Sequence, residues 1–173
     1  DEAARQMAIA REYSPQKQSI IIQQGLIELA RGNNDSALEF FATALELEES
    51  NLTAREFYAG ALISAGQLDE AVTLANSDAA RRKFAQSDFI LSSANRMGMK
   101  DFLIDLYQLR TEMMPEVGQN WASLGFLYYD TGNIEAALDA LRTGAERSPS
   151  FAPLATCVID NIENEREPTE GCQ

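Results

Sequence analysis

Four glycines set the frame of this chain. Gly32, Gly66, Gly98 and Gly132 follow one another at intervals of 34, 32 and 34 residues. A period of that length marks a supersecondary unit repeated along the chain, and it narrows the fold more than composition can. Other positions keep the same phase. Ala3, Ala37 and Ala71 are 34 apart, and Ala137 continues the series. Four residues after each stand Met7, Phe41, Ala75 and Leu141, bulky everywhere except at Ala75. Pro15, Pro115 and Pro149 recur just after the second apolar stretch of a unit.

Within each unit, apolar residues return at three- and four-residue spacing, as in Leu124, Leu127 and Tyr128 or Ala137, Leu138 and Leu141. That is the period of an amphipathic helix, so each unit reads as two helices. The glycine ends the first, because it takes the left-handed conformation of a helix C-terminus at little cost. An early alanine in the second lets the two backbones approach closely. Proline then stops the second helix. A single hairpin cannot bury its apolar face, so neighbouring units must stack.

Residues 118–151 carry Trp121, Leu124, Gly125, Tyr128, Gly132, Ala137, Leu141 and Pro149. That set resembles the signature of the tetratricopeptide repeat. Residues 18–51 match it at Gly25, Gly32, Ala37, Phe41 and Ala44, and residues 52–83 at Tyr58, Ala59, Leu62, Gly66 and Ala71, with a shortened second helix. The resemblance implies an all-α fold, a right-handed α-solenoid of antiparallel helix hairpins. It divides residues 1–166 into one array: the second helix of a truncated repeat (1–17), full repeats at 18–51, 52–83, 84–117 and 118–150, and a capping helix at 151–166. Residues 167–173 are expected to form a flexible tail. The chain starting mid-repeat suggests that the natural protein begins earlier. Repeat 84–117 departs most, with Leu91 and Leu103 where small residues are usual. That predicts a wider hairpin or a changed superhelical step. In the capping helix, Asp160, Asn161, Asn164 and Glu165 form a polar outer face suited to water.

Composition then limits function. There are 27 acidic and 14 basic residues and no histidine, giving a net charge of −13. Such a field repels nucleic acid and anionic lipid and favours a cationic protein patch, unless the acidity serves only solubility. The apolar runs are only a few residues long, so no segment inserts directly into a membrane. Without histidine there is no imidazole base or metal ligand, and no glycine-rich phosphate loop is present. Glu48–Glu49 and Asp69–Glu70 lie at helix ends, where solvated carboxylates are common. The chain reads as a binding protein, not an enzyme, with no cofactor and no metal. Cys157, among Ala155, Val158 and Ile159, reads as a small buried residue, and pairing with Cys172 is left open. Asn51-Leu52-Thr53 matches the glycosylation triplet, a pattern common by chance. The compartment is open.

In tetratricopeptide arrays the first helices line a concave groove. The resemblance places Ile22, Gln23, Leu26 and Leu29 there, with Glu56 and Phe57, then Asp88, Phe89 and Arg96, and finally Ser123, Phe126, Tyr129 and Asp130. One branch of the family grips a chaperone's terminal carboxylate with polar side chains at places held here by Ile22, Leu26 and Phe57, so that clamp is absent. The groove offers instead an apolar path bordered by Glu56, Asp88 and Asp130, suited to a basic or amphipathic helix or peptide of a partner. The alternative is that these residues pack inside the array. Two further readings remain. The run Arg55, Tyr58, Ala59, Ala61, Leu62, Ala65 and Gly66, with the segment Gln108 to Pro115, resembles soluble repeat tails of bacterial O-antigen ligase or polymerase-like membrane proteins. That likeness implies a role in assembly or recruitment. Apolar surface exposed at Leu91 and Leu103 would instead suit self-association into a homo-oligomer.

Overall fold

The helical periodicity is realised along the whole described chain. A computed structural model describes residues 2–14 and 16–172, apart from the side chains of Ala3, Ala4, Ala8 and Arg11. The side chain of Ala3 and the whole of Pro15, both members of the periodic series, thus lie outside the described residues. Among the described residues there are eleven helices and no strand: α1 Glu2–Tyr13, α2 Gln18–Arg31, α3 Asn34–Leu47, α4 Leu52–Ser64, α5 Leu68–Thr73, α6 Asp78–Ala85, α7 Asp88–Arg96, α8 Lys100–Met113, α9 Gly118–Asp130, α10 Ile134–Arg147 and α11 Ala152–Glu163. They fall into two compact units, divided between Met97 and Gly98.

In the first unit, α2, α3 and α4 close on a core of Ile21, Ile22, Ala37, Phe41, Ala44, Ala54 and Ala61. The turn into α4 is built by Asn51. Its Oδ1 accepts from the amides of Thr53 at 2.9 Å and Ala54 at 3.0 Å, and its amide group donates to Gln18. Gln18 in turn reaches the carbonyl of Ala44 at 2.5 Å. The asparagine of the glycosylation triplet therefore serves as a helix N-cap that joins two hairpins.

The shortened helix expected after Gly66 is α5, six residues long. What the periodicity does not announce is α6, which follows at once. Ser77 caps it, its Oγ accepting from the amide of Ala80 at 3.2 Å. The connecting loop is held by Arg55, whose guanidinium donates to the carbonyls of Leu74 and Glu49 and to Asn76 Oδ1. This extra helix packs against α4 and α7 and buries Phe84 completely. It supplies a large apolar side chain in the unit where the periodic series has only Ala75.

In the second unit, α9, α10 and α11 enclose Ala122, Leu141, Phe151, Ala155, Val158 and Ile162. Trp121 packs on this cluster and donates its indole N–H to the carbonyl of Pro115 at 2.8 Å. Three expectations need correction. Leu91 and Leu103 are 5% and 2% exposed, so each fills the core of its own unit and offers no apolar patch to a second copy. The last residues are not a loose tail. Glu165, at φ 55°, reverses the chain, Pro168 is buried, and Cys172 is bonded to Cys157. Asn161, expected to face water, is 2% exposed and donates to the carbonyls of Pro168 at 3.1 Å and Glu170 at 2.8 Å.

Candidate functional site

The residues expected to form a binding groove sit on α2, α4 and α7 of the first unit and on α9 of the second. Their environments differ. Ile22 is 6% exposed and belongs to the core, with Leu26 and Phe57 packed on the same cluster. Phe57 stacks on Phe41 with ring centroids 5.6 Å apart and lies 6.3 Å from Phe89. Phe89 in turn rests on Gly60, where any Cβ would collide with its ring. The aromatic path of this unit is thus a stack that starts at the fully buried Phe41 and runs outward through the half-buried Phe57 and Phe89. On α9, Phe126 and Tyr129 are half-buried against the cluster around Leu141 and Phe151, and Ser123 is half-buried beside them on the same helix.

The acidic border is engaged within the protein. Glu56 is largely buried, and its carboxylate lies 2.8 Å from the ammonium of Lys83 on α6. Asp130 pairs with Lys100 at 3.5 Å, and the same ammonium donates to its backbone carbonyl at 3.2 Å. Asp88 is exposed in the first turn of α7, where its charge favours the positive end of the helix. Gln23 is exposed on α2.

A concave space does open on these helices, displaced toward their C-terminal ends. It has a volume of about 470 Å³ and is lined by Leu29, Asn34, Ser64, Phe89, Ser93, Arg96 and Met97. Three of these are apolar, and Met97 is 42% exposed at the rim. Three of the polar ones form a short chain. The Oγ atoms of Ser64 and Ser93 are 3.1 Å apart, and Arg96 donates to Ser93 Oγ at 3.1 Å. Arg96 is the single charged residue in the lining. An apolar chamber of this size with a few convergent polar groups is the usual form of a recognition site.

Of the residues read from the sequence, Leu29, Phe89 and Arg96 line this chamber; Asn34, Ser64, Ser93 and Met97 were missed. The pair Ser64 and Ser93 is 29 residues apart in sequence, because the short α5 and the added α6 shift the phase of α7. A strict 34-residue register therefore points past it. Two other depressions have more charged residues in their linings. One of about 400 Å³ on α8, α9 and α10 includes Glu112, Asp139 and Tyr128, whose hydroxyl accepts from Gln108 at 2.6 Å. The other, about 270 Å³, lies beside Arg55 and Tyr58. Burial and a hydrogen bond to Glu70 push the Tyr58 hydroxyl up to about 12. Glu28 is held below its ordinary range by hydrogen bonds from Asn33 and Arg31.

Comparison with known proteins bears on the fold. Sequence models of the tetratricopeptide repeat match residues 28–85 and 118–151, together more than half of the chain. No curated protein matches it in sequence. Among solved structures, a MamA fragment (41–end) from Desulfovibrio magneticus RS-1 is 17% identical with a TM-score of 0.65, covering 86% of this chain and 85% of that one. A second MamA structure is 15% identical with a TM-score of 0.66, covering 87% of this chain and 83% of that one. YrrB, described as a TPR protein with an unusual peptide-binding site, is 21% identical with a TM-score of 0.54, covering 87% and 80%. At these identities the likeness concerns the fold. None of these matches lends support to the weaker likeness to O-antigen ligase tails.

Proposed function

The chain belongs to the tetratricopeptide-repeat family, and from that premise we propose that it is a protein-interaction scaffold whose first unit receives a peptide or helix of a partner. The observation that carries the reading is the chamber at Leu29, Phe89, Met97 and Arg96. It is the place where the aromatic stack of α3, α4 and α7 ends, and its floor is closely packed, with the Phe89 ring seated directly on Gly60. A preorganised apolar floor is what an anchor side chain needs, since little must be ordered on binding. That YrrB carries a peptide-binding site in a related fold is consistent with this use of the surface.

The partner is an amphipathic segment with one bulky apolar anchor. At the anchor, Arg96 favours a carboxylate or carbonyl of the ligand. Beyond it, the net charge of −13 favours a segment that is basic overall, through the long-range field and not through contacts to Glu56 or Asp130.

The test is a selection of peptides on the purified chain, followed by affinity measurement with Met97→Asp and Arg96→Glu. Both residues are exposed, so the fold should survive, which thermal melting by circular dichroism checks. Loss of affinity by about tenfold or more in either variant is expected. Peptides that bind both variants as tightly as the parent would remove this chamber as the site.

A further inference from the structure

We propose that the last eight residues described form a redox-locked strap on α11, and that the chain is built for an oxidising compartment. The strap is anchored by covalent bond and by polar contacts that have no role in the repeat packing. Cys157 and Cys172 are the only cysteines, and they are joined to each other across 15 residues. Between them the chain doubles back on the helix. The amide of Arg166 donates to the carbonyl of Asn161 at 2.8 Å, and the Arg166 guanidinium pairs with Asp160. The side chain of Asn161 then donates to two strap carbonyls from a position almost wholly out of solvent.

The strap's own composition gives it little other reason to stay. Glu165, Arg166, Glu167, Thr169, Glu170 and Gly171 are exposed, and only Pro168 is buried, with Cys172 half-buried against the apolar cluster of α9 to α11. Four of those residues are charged, in a chain already at −13. A segment with so little apolar surface to bury does not hold itself against a helix. Asn161 fits the same logic. Its position suits a buried residue only while strap carbonyls accept its protons, because an unpartnered buried amide is destabilising. The bond between the cysteines keeps those acceptors in place.

Closing the strap removes two protons and two electrons from the Cys157 and Cys172 thiols. They pass to a disulfide-bearing thiol oxidant, whose own disulfide becomes two thiols, by exchange through a mixed disulfide. Such bridges persist in oxidising compartments and are reduced in the ordinary cytosol. Reduction reverses the exchange and frees the strap, which uncovers the flank of α11 that carries Cys157 and Asn161.

The test uses the full chain. Protein trapped with an alkylating agent in its source cell is analysed by mass spectrometry, and purified protein is digested with trypsin with and without reductant. Trapping should find both thiols unlabelled, and cleavage after Arg166 should be about tenfold faster once the bond is reduced. A Cys157→Ser, Cys172→Ser variant should match the reduced protein whether or not reductant is present. Free, alkylated thiols in the cell, or equal cleavage rates in oxidised, reduced and variant protein, would overturn the proposal.

Discussion

The hairpin of α9 and α10 and the region from α4 to α7 are built from the same repeat, and they solve its packing differently. In the first, α10 is 14 residues long and lays Leu141 against Gly125, close enough that a Cβ on the glycine would lie 2.9 Å from the leucine. Trp121, Leu124 and Ala137 complete a plain two-helix unit. In the second, α5 stops after six residues, and a third helix is added to finish the core. The difference begins at one position, because Ala75 stands where the other repeats place a bulky residue. A helix with no plug to offer gains little by continuing, and Asn76-Ser77-Asp78 supplies a strong restart signal. The added helix shortens and shifts α7, and the chamber opens at the end of that shifted helix. The regular hairpin borders a depression whose charged residues are Glu112 and Asp139, while the irregular region opens the chamber with an apolar, aromatic floor.

The comparison can be broken first at its largest point. Phe84→Ala should destabilise the first unit by about 3–5 kcal/mol, measured by urea unfolding, because a fully buried phenylalanine leaves a cavity. Leu141→Ala should do the same in the second unit at about 2–5 kcal/mol. If Phe84→Ala costs no more than a surface change, α6 is not the replacement for the missing plug.

Smaller effects sharpen the contrast. Glu56→Gln removes the partner of Lys83 at the joint between α4 and α6 and should cost about 1–2 kcal/mol, with no equivalent pair needed between α9 and α10. The turn glycines should behave alike in both regions. Gly66 and Gly132 have φ of 81° and 79°, and at neither would a Cβ meet anything closer than 3.9 Å. Gly66→Ala and Gly132→Ala should therefore each cost about 1 kcal/mol, from the backbone alone. The smallest effect lies in pH. Tyr58 titrates higher folded than unfolded, so its contribution is intact below about 10 and is lost as pH rises through about 12. Tyr58→Phe should lack that alkaline loss in a stability profile followed to high pH.

The fold was legible because its strongest signals are local and repeated. Gly132 needs a left-handed turn, Trp121 and Leu141 mark opposite sides of one interface, and both can be seen without coordinates. The region around α6 was not, because a helix restarted by a serine cap leaves no glycine or proline to break the period. The chamber was half legible. Phe89 and Arg96 fell on the expected helix, but Ser93 turns inward where the register pointed to its neighbours. Glu56 and Asp130 looked like free acids because sequence does not show that Lys83 and Lys100 reach them. The strap was hidden for a related reason. Its residues are polar, and the buried role of Asn161 depends on carbonyls that follow it in the chain.

The most direct test of the account is nuclear magnetic resonance mapping of a selected peptide on the full chain. Binding should shift the signals of Leu29, Ser64, Ser93 and Met97 and leave Phe126 and Tyr129 of the regular hairpin unchanged. Shifts confined to residues 118–151 would place recognition on the regular repeat and contradict the link between the irregular region and function.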